Sequence, residues 1–529
     1  MDPPIFSCSA VLLVLLGILS QADGGKLLVV PMDGSHWLSM RPVVERLAQN
    51  GHEVVVVMPE NSLALSGSKS YTVKTFTVPF SSQEVTAKLQ KLGRDHFTLP
   101  SYFPWIAIRM LNVMMETFDV FYTMCERLLL NQELMEELRR EKFDAVFTDP
   151  FLLCGVIVAE HLELPNVNFL RGVPCLYDIA SAQCDTPFSY VPRIFSMNSD
   201  KMNFIERTKN VLVKMLEPYY CGIVYFRFIQ LACDVLQKEV TAVQLLSRSS
   251  VWLLRYDFVF EYPRPVMPNM VFIGGINCNH RKPLTKEFQA MVNSSGELGF
   301  VVFSLGSMVS EIPMNNAMDI AEALRSIPQM VIWRYTGRAP SNLGNNTHLV
   351  KWLPQNDLLA HPKARAFITH AGSHGVYEGI CNAVPMVMLP LFGDQMDNAK
   401  RMESRGAGIK MNVLDMTPGD LSSALHSVIN IPSYKENIQR LSALHLDRPI
   451  QPLDLAVHWV EFVMRHKGAP HLRPAAHDLN WIQYHSIDVF GFLLAVLVTA
   501  LFISIKCCSF TYRRCCGRKS RQKSKSKKQ

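Results

Sequence analysis

The 529-residue chain contains no Asp-x-Asp pair, which argues against the nucleotide-sugar transferases that hold a divalent ion with two such carboxylates. Acidic residues are absent beyond Asp488, whereas ten Lys or Arg residues lie from Lys506 onward. Removing those ten from the formal charge of +7 leaves −3 for the remainder, so the positive balance belongs to the tail. A folded part without basic excess does not suit nucleic acid as a partner. The thirteen cysteines show no spacing that suggests zinc. Cys8 falls in a leader-like segment and Cys507, Cys508, Cys515 and Cys516 flank an apolar run; for the other eight, buried free thiols are the default, while an oxidising compartment would permit pairing. The juxtamembrane four are candidates for palmitoylation.

Long apolar runs are few, and two of them are informative. Ala10 to Leu19, followed by Ser20-Gln21-Ala22, has the h-region and small residues of an export signal over 1–22, although the MDPP start lacks the usual positive charge. Val489 to Ile505 is uncharged between Asp488 and Lys506, and with a basic flank it predicts one membrane span. The positive-inside rule then puts the bulk of the chain in the lumen and the 506–529 tail in the cytoplasm. Lys525 and Lys527 resemble a dilysine retrieval signal of the endoplasmic reticulum, and Asn293 and Asn345 head glycosylation acceptors that a lumenal location would make usable.

Between these ends the chain alternates strands and helices. LLVVPM, a helix-like MRPVVERLAQNG and EVVVVMP open a βαβ series. DAVFTDP, NVNFL and MVFIGGI continue it. The second half repeats the pattern with FVVFSLGS, MVIWRY, HLVKWLP, AFITHAG and PMVMLPLFG. The fold class expected is α/β, two Rossmann-like domains (23–283 and 284–452) facing a cleft. Beyond them come a return segment (453–488) and a C-terminal single transmembrane helix (489–505). Segments 102–130 and 211–236 are unusually apolar for surface helices; core packing, an acceptor pocket and lumenal membrane contact are all open to them.

The densest chemistry lies in WLPQNDLLAHPKARAFITHAGSHGVYEGICNAVPMVMLPLFGDQ, from Trp352 to Gln395. A buried strand, a glycine turn at Gly372 and Gly375, and a helix start form a place where backbone N–H groups and the helix dipole favour an anion. Trp352 offers an aromatic face and Glu378 a hydroxyl acceptor one turn along. The segment resembles the donor signature of the UDP-glycosyltransferases, in the form found in animal UDP-glucuronosyltransferases. Trp352, Gln355, His370, Gly372, Ser373, Glu378, Asp394 and Gln395 fall in signature order, and the likeness extends from GSHW near residue 36 to the C-terminal anchor. The first half and the tail most resemble the bilirubin and phenol branch.

That resemblance implies a GT-B fold with the acceptor on the first domain, the donor on the second, and the last helices (about Leu453 to Trp481) crossing back to the first. It implies that Trp352 packs on uracil, that Gln355 and Glu378 reach ribose, and that His370 with Ser373, His374 and Gly375 holds phosphate. Asp394 and Gln395 would meet sugar hydroxyls, and Ser304 and Ser307, at another strand end, are further phosphate candidates. His36, in the loop after the first strand, and Asp149, after another strand, match the family's catalytic pair: the carboxylate fixes the imidazole tautomer and the imidazole takes the acceptor's proton. The expected reaction is inverting transfer of glucuronic acid from UDP-glucuronate to a hydroxyl, or another nucleophile, of small lipophilic acceptors such as phenols, steroids or bilirubin-like compounds, giving β-glucuronides and UDP, with no cofactor and no metal. A different UDP-sugar (glucose, N-acetylglucosamine or galactose) and a silent lipophile-binding family member are the alternatives. His370 and His374 are four apart, but no carboxylate ligand accompanies them. Arg334, Lys351, His374 and Lys400 are the candidate cations for the glucuronate carboxylate, and the sequence singles out none of them. Self-association with itself or with family members is common in that family.

Overall fold

The computed structural model describes residues 24–62, 69–97, 105–170, 176–278, 281–307 and 309–523. The expected leader, Lys525 and Lys527 lie outside the described residues.

The first sheet has seven parallel strands in the order β3-β2-β1-β4-β5-β6-β7. They are β1 Lys26–Val30, β2 Glu53–Pro59, β3 Thr72–Phe76, β4 Ala145–Thr148, β5 Asn166–Leu170, β6 Val251–Leu254 and β7 Met270–Phe272. The second sheet has six, ordered β10-β9-β8-β11-β12-β13: β8 Phe300–Ser304, β9 Met330–Arg334, β10 Thr347–Val350, β11 Ala364–Thr369, β12 Met386–Met388 and β13 Gly408–Lys410. Both orders reverse beside the first strand of their series, the switch point at which open α/β sheets bind ligand beyond the strand ends. Apolar runs such as Val54–Val57 and Val301–Phe303 are fully buried on both faces, as parallel sheets covered by helices require.

Strands β3, β6 and β13 were not marked in the sequence. β3 (TVKTF) is an edge strand with mixed burial, and the short β6 and β13 have no alternation to read.

The Pro452–His466 helix runs back to the first sheet. Ala456, Val457, Val460 and Val463 share a core with Leu27, Val29 and Trp37, and Arg46 with Asp454, at 2.8 Å, rims that contact. Both apolar segments are helical over most of their length. Trp105–Leu129 and Phe204–Leu236 pack on each other through Phe118 and Phe228. The second also turns Leu212, Met215, Leu216, Tyr219, Ile223 and Phe226 outward.

Among the described residues, Cys125 pairs with Cys154 and Cys278 with Cys381 in disulfides, in place of the free thiols expected by default. The partners are 29 and 103 residues apart, a pairing that only the folded chain reveals.

Residues 474–529 form a separate unit. Its described part carries the long Ile487–Lys523 helix, and Ile487–Cys516 is long and apolar enough to cross a membrane. The helix exceeds the predicted 489–505 span because nothing in the following basic sequence breaks it.

Candidate functional site

His36 and Asp149 are brought together by strand pairing. β1 and β4 are parallel neighbours with Val30 opposite Thr148, so the residues that follow them emerge side by side. His36 Nδ1 lies 2.6 Å from Asp149 Oδ2. His36 was expected in a loop; it sits instead in the first turn of the Ser35–Gln49 helix, after Gly34 at φ 74°. A helix start fixes the imidazole more firmly than a loop would. The Asp149 side chain is 2 % exposed and that of His36 14 %, so the carboxylate is enclosed while the imidazole edge remains reachable. The other Asp149 oxygen accepts the Phe151 N–H at 2.9 Å. This leaves the carboxylate satisfied and aimed at Nδ1, with Nε2 as the available base.

The wall beside the pair is aromatic. Phe151 meets the His36 ring edge-on at 5.4 Å and Phe118 at 5.7 Å. Tyr225 and Phe228 pack on Phe118 at 6.0 and 6.4 Å, and the Tyr225 hydroxyl donates to Phe151 O at 3.1 Å. The two apolar helices thus supply core packing and the surroundings of His36 with the same residues.

On the second sheet, β11 runs into the Ser373–Cys381 helix with Gly372 at its N-cap. Ser373 and Gly375 are buried at the helix start. His370 lies against Gly306, where a Cβ would come within 2.6 Å of the imidazole; the glycine after β8 permits that approach. Ser304 is buried and its hydroxyl accepts the Gly306 N–H at 3.2 Å, whereas Ser307 is exposed. Glu378, 6 % exposed, accepts from the Gln355 amide and lies 3.1 Å from His374 Nε2. Trp352 is 63 % exposed, with the Arg334 guanidinium 5.4 Å from its ring centroid.

Of the four candidate cations for a glucuronate carboxylate, Arg334, His374 and Lys400 are engaged within the protein. Arg334 donates to the carbonyls of Gly306 and Ser307 and burial lowers its pKa; its position supports the indole and the β8 turn. His374 is engaged by Glu378, and Lys400 by Glu403 at 3.0 Å. Lys351 is exposed.

Asp394 stands at the N-cap position of the Gln395–Ser404 helix without a side-chain capping bond, and accepts from Asn398 Nδ2 at 2.9 Å. The Gln395 amide oxygen accepts the N–H groups of Leu391 and Phe392 at 2.8 and 3.1 Å, so it shapes the loop that presents Asp394. Ser373 and Asp394 also line a cavity of about 90 Å³ shared with Arg255, Arg264, Asp178 and Arg401.

His374 links the two halves of the site. Its Nδ1 lies 3.3 Å from Ser39 Oγ and 3.4 Å from Asn277 Nδ2, and Ser39 stands one helical turn after His36. Nothing in the sequence marked Ser39 or Asn277, since neither carries a motif. Among the described residues, Cys278, Cys381 and His445 are the one group near enough to share a metal ion, but the two sulfurs are bonded to each other and His445 Nδ1 is 2.6 Å from Asp257.

Residues 25–522 match the family model described as "UDP-glucoronosyl and UDP-glucosyl transferase". The chain belongs to that family. The transferase is 60% identical over 511 residues to UDP-glucuronosyltransferase 1A1 of Mus musculus, covering 96% of this chain and 95% of the relative. It is 59% identical over 508 residues to UDP-glucuronosyltransferase 1A6 of Homo sapiens, with 96% and 95% covered. Among solved structures, the glycotransferase of kitacinnamycin superposes with a TM-score of 0.59 at 16% identity over 84% of this chain and all of that one. UDP-glucose: anthocyanidin 3-O-glucosyltransferase in complex with UDP gives 0.56 at 17%, covering 84% and 99%. These two carry the fold alone: the transferase has the expected two-sheet GT-B architecture, and a C-terminal helix fit for a membrane.

Proposed function

We propose that the transferase moves glucuronic acid from UDP-glucuronate to a hydroxyl of small lipophilic molecules such as phenols or bilirubin-like pigments, releasing UDP and a β-glucuronide. One observation carries this above the others. The His36–Asp149 pair stands one helical turn from Ser39, which touches His374 on the helix bearing the donor signature. The base therefore faces the nucleotide-sugar helix. His36 Nε2 takes the acceptor proton as the oxygen attacks the anomeric carbon from the face opposite UDP, and Asp149 stabilises the imidazolium. The leaving diphosphate meets the start of the Ser373–Cys381 helix, Ser373 to Gly375 and His370, where N–H groups and the dipole favour an anion. Gln355 and Glu378 take the ribose, Asp394 the sugar hydroxyls, Gln395 acts by holding the Asp394 loop, and Ser304 and Ser307 border the phosphates. No metal is given a role.

Identity of about three in five residues to glucuronosyltransferases favours glucuronate over other sugars. Turnover with UDP-glucuronate, UDP-glucose, UDP-galactose and UDP-N-acetylglucosamine on one phenol tests this; preference for a neutral sugar would overturn it. Trp352→Ala removes the uracil platform. Stacking of a base is worth about 1–3 kcal/mol, so KM for the donor and the UDP inhibition constant are both expected to rise about 5- to 150-fold together.

The membrane partner is the Ile487–Cys516 stretch, and we place the catalytic part in the endoplasmic-reticulum lumen with the basic tail and its Lys525 and Lys527 retrieval signal in the cytoplasm. Asn293 and Asn345 are both exposed, which suits glycan attachment. Asn293→Gln and Asn345→Gln should each remove one step of endoglycosidase-sensitive gel mobility, and an unchanged pattern would deny lumenal exposure of these sites.

A further inference from the structure

A buried polar cluster lies between the two sheets, and it serves no step of the transfer described above. Asp257 follows β6, on the same edge of the first sheet as His36 and Asp149. Its Oδ2 accepts from Arg448 Nη2 at 2.7 Å and lies 2.6 Å from His445 Nδ1. Its backbone N–H donates to the Tyr377 hydroxyl at 2.8 Å, and that hydroxyl lies 3.3 Å from Oδ1. Arg448 Nη1 also donates to Gly274 O at 2.7 Å. Tyr377 is 3 % exposed and His445 2 %.

The three partners come from the second lobe. Tyr377 lies on the donor helix itself, between Ser373 and Glu378, and His445 is in the last turn of the Pro432–Leu446 helix. The approach depends on Gly274 and Gly275. A Cβ at Gly274 would stand 2.6 Å from the Tyr377 hydroxyl, and one at Gly275, where φ is +71°, would stand 2.2 Å from His445 Nε2. The Cys278–Cys381 bond ties the same strip of the first lobe to the last residue of the donor helix.

We propose that Asp257, Tyr377, His445 and Arg448 are positioning residues, a clamp that fixes the donor helix against the lobe carrying His36 and so sets the rate of transfer rather than the affinity for nucleotide. This rests on the Ser373–Cys381 helix being the donor helix. A buried ionic network is weak glue, because desolvation offsets most of its attraction, and its best-attested use is to specify one geometry. Here the geometry matters to a single step. Trp352, Gln355 and Glu378 are all in the second lobe, so UDP can bind whatever the spacing of the lobes. Attack on the anomeric carbon needs the base and the sugar within near-contact distance across the cleft, and a misplacement of ~1 Å costs about 100-fold in rate. The neighbouring strip, in which Arg401 pairs with Glu261 at 2.7 Å and Arg405 donates to Val259 O at 2.7 Å, grips the Gln395–Ser404 helix and not the donor helix.

Asp257→Asn, Arg448→Met and Tyr377→Phe, each made in the full-length chain in membranes, test the clamp. For each, kcat with a saturating phenol and the inhibition constant of UDP are measured beside the wild type. The expected result for Asp257→Asn and Arg448→Met is a loss of about 10- to 100-fold in kcat, with the UDP constant unchanged within about twofold. Tyr377→Phe, which keeps the ring and the fold, should show the same split with a smaller loss. An unchanged kcat in Tyr377→Phe overturns the proposal. So does a UDP constant that rises in step with the loss of kcat, since that is what a merely structural support of the donor helix would give. Absence of transfer in the wild type with every UDP-sugar would instead strike the proposed function; UDP affinity is then measured by direct binding, and a loss of it in Asp257→Asn or Arg448→Met would still overturn the clamp.

Discussion

His36→Ala should lower kcat by about 10²- to 10⁴-fold, the range that a positioned general base contributes, while the donor KM stays near the wild-type value. The physical reason is local. His36 lies on the first sheet, its Nδ1 is 2.6 Å from Asp149, and the residues proposed to bind UDP belong to the second sheet. Asp149→Asn should cost almost as much, because an amide in place of the carboxylate can present its N–H to Nδ1, and that selects the tautomer with the proton on Nε2, where the base is needed. The double variant should lose little more than His36→Ala alone, since the two act as one device. Initial rates with a phenol across donor concentrations check all three. If His36→Ala retained full activity, or if the two losses multiplied, another group would be the base.

Glu378→Ala is the second large effect expected. Glu378 is 6 % exposed and gathers the Gln355 amide and His374 Nε2, and in the proposed function it also accepts from ribose. A hydrogen bond to a charged group is worth about 1.5–3 kcal/mol, so kcat/KM for the donor should fall about 10- to 150-fold. Because His374 also reaches Ser39, one turn from the base, part of the loss should appear in kcat. Glu378→Gln keeps the volume and should recover part of the donor KM. A donor KM unchanged in Glu378→Ala would remove Glu378 from the nucleotide site. The contrast with the clamp variants is sharp: Glu378→Ala should weaken UDP, and Asp257→Asn should not.

Glu378 and Asp257 differ in how much of their role is written in local sequence. Glu378 was legible because it stands at fixed spacing from Trp352 and the glycine turn, and one strand, one turn and one helix settle that spacing locally. Asp257 was not, because it follows β6, a four-residue buried strand without periodicity, and its partners at 377, 445 and 448 come from another lobe. Asp397 is similar: it accepts the N–H groups of Phe195 and Met197 at 2.7 and 3.0 Å across 202 and 200 residues, and burial raises its pKa against the opposing pull of Arg401 and those N–H groups.

The sequence by itself determined the alternation of strands and helices, the donor segment, the membrane-length helix and the residue types of a His–Asp pair, since each is written in local spacing and apolar runs. Tertiary structure alone decided that β1 lies beside β4, which converts two residues that follow different strands into a pair 2.6 Å apart. It also decided that Cys278 meets Cys381 and that a carboxylate on one lobe collects a tyrosine, a histidine and an arginine from the other. Those contacts depend on which strand ends share an edge and on how two sheets face each other, and no short stretch of chain carries that information.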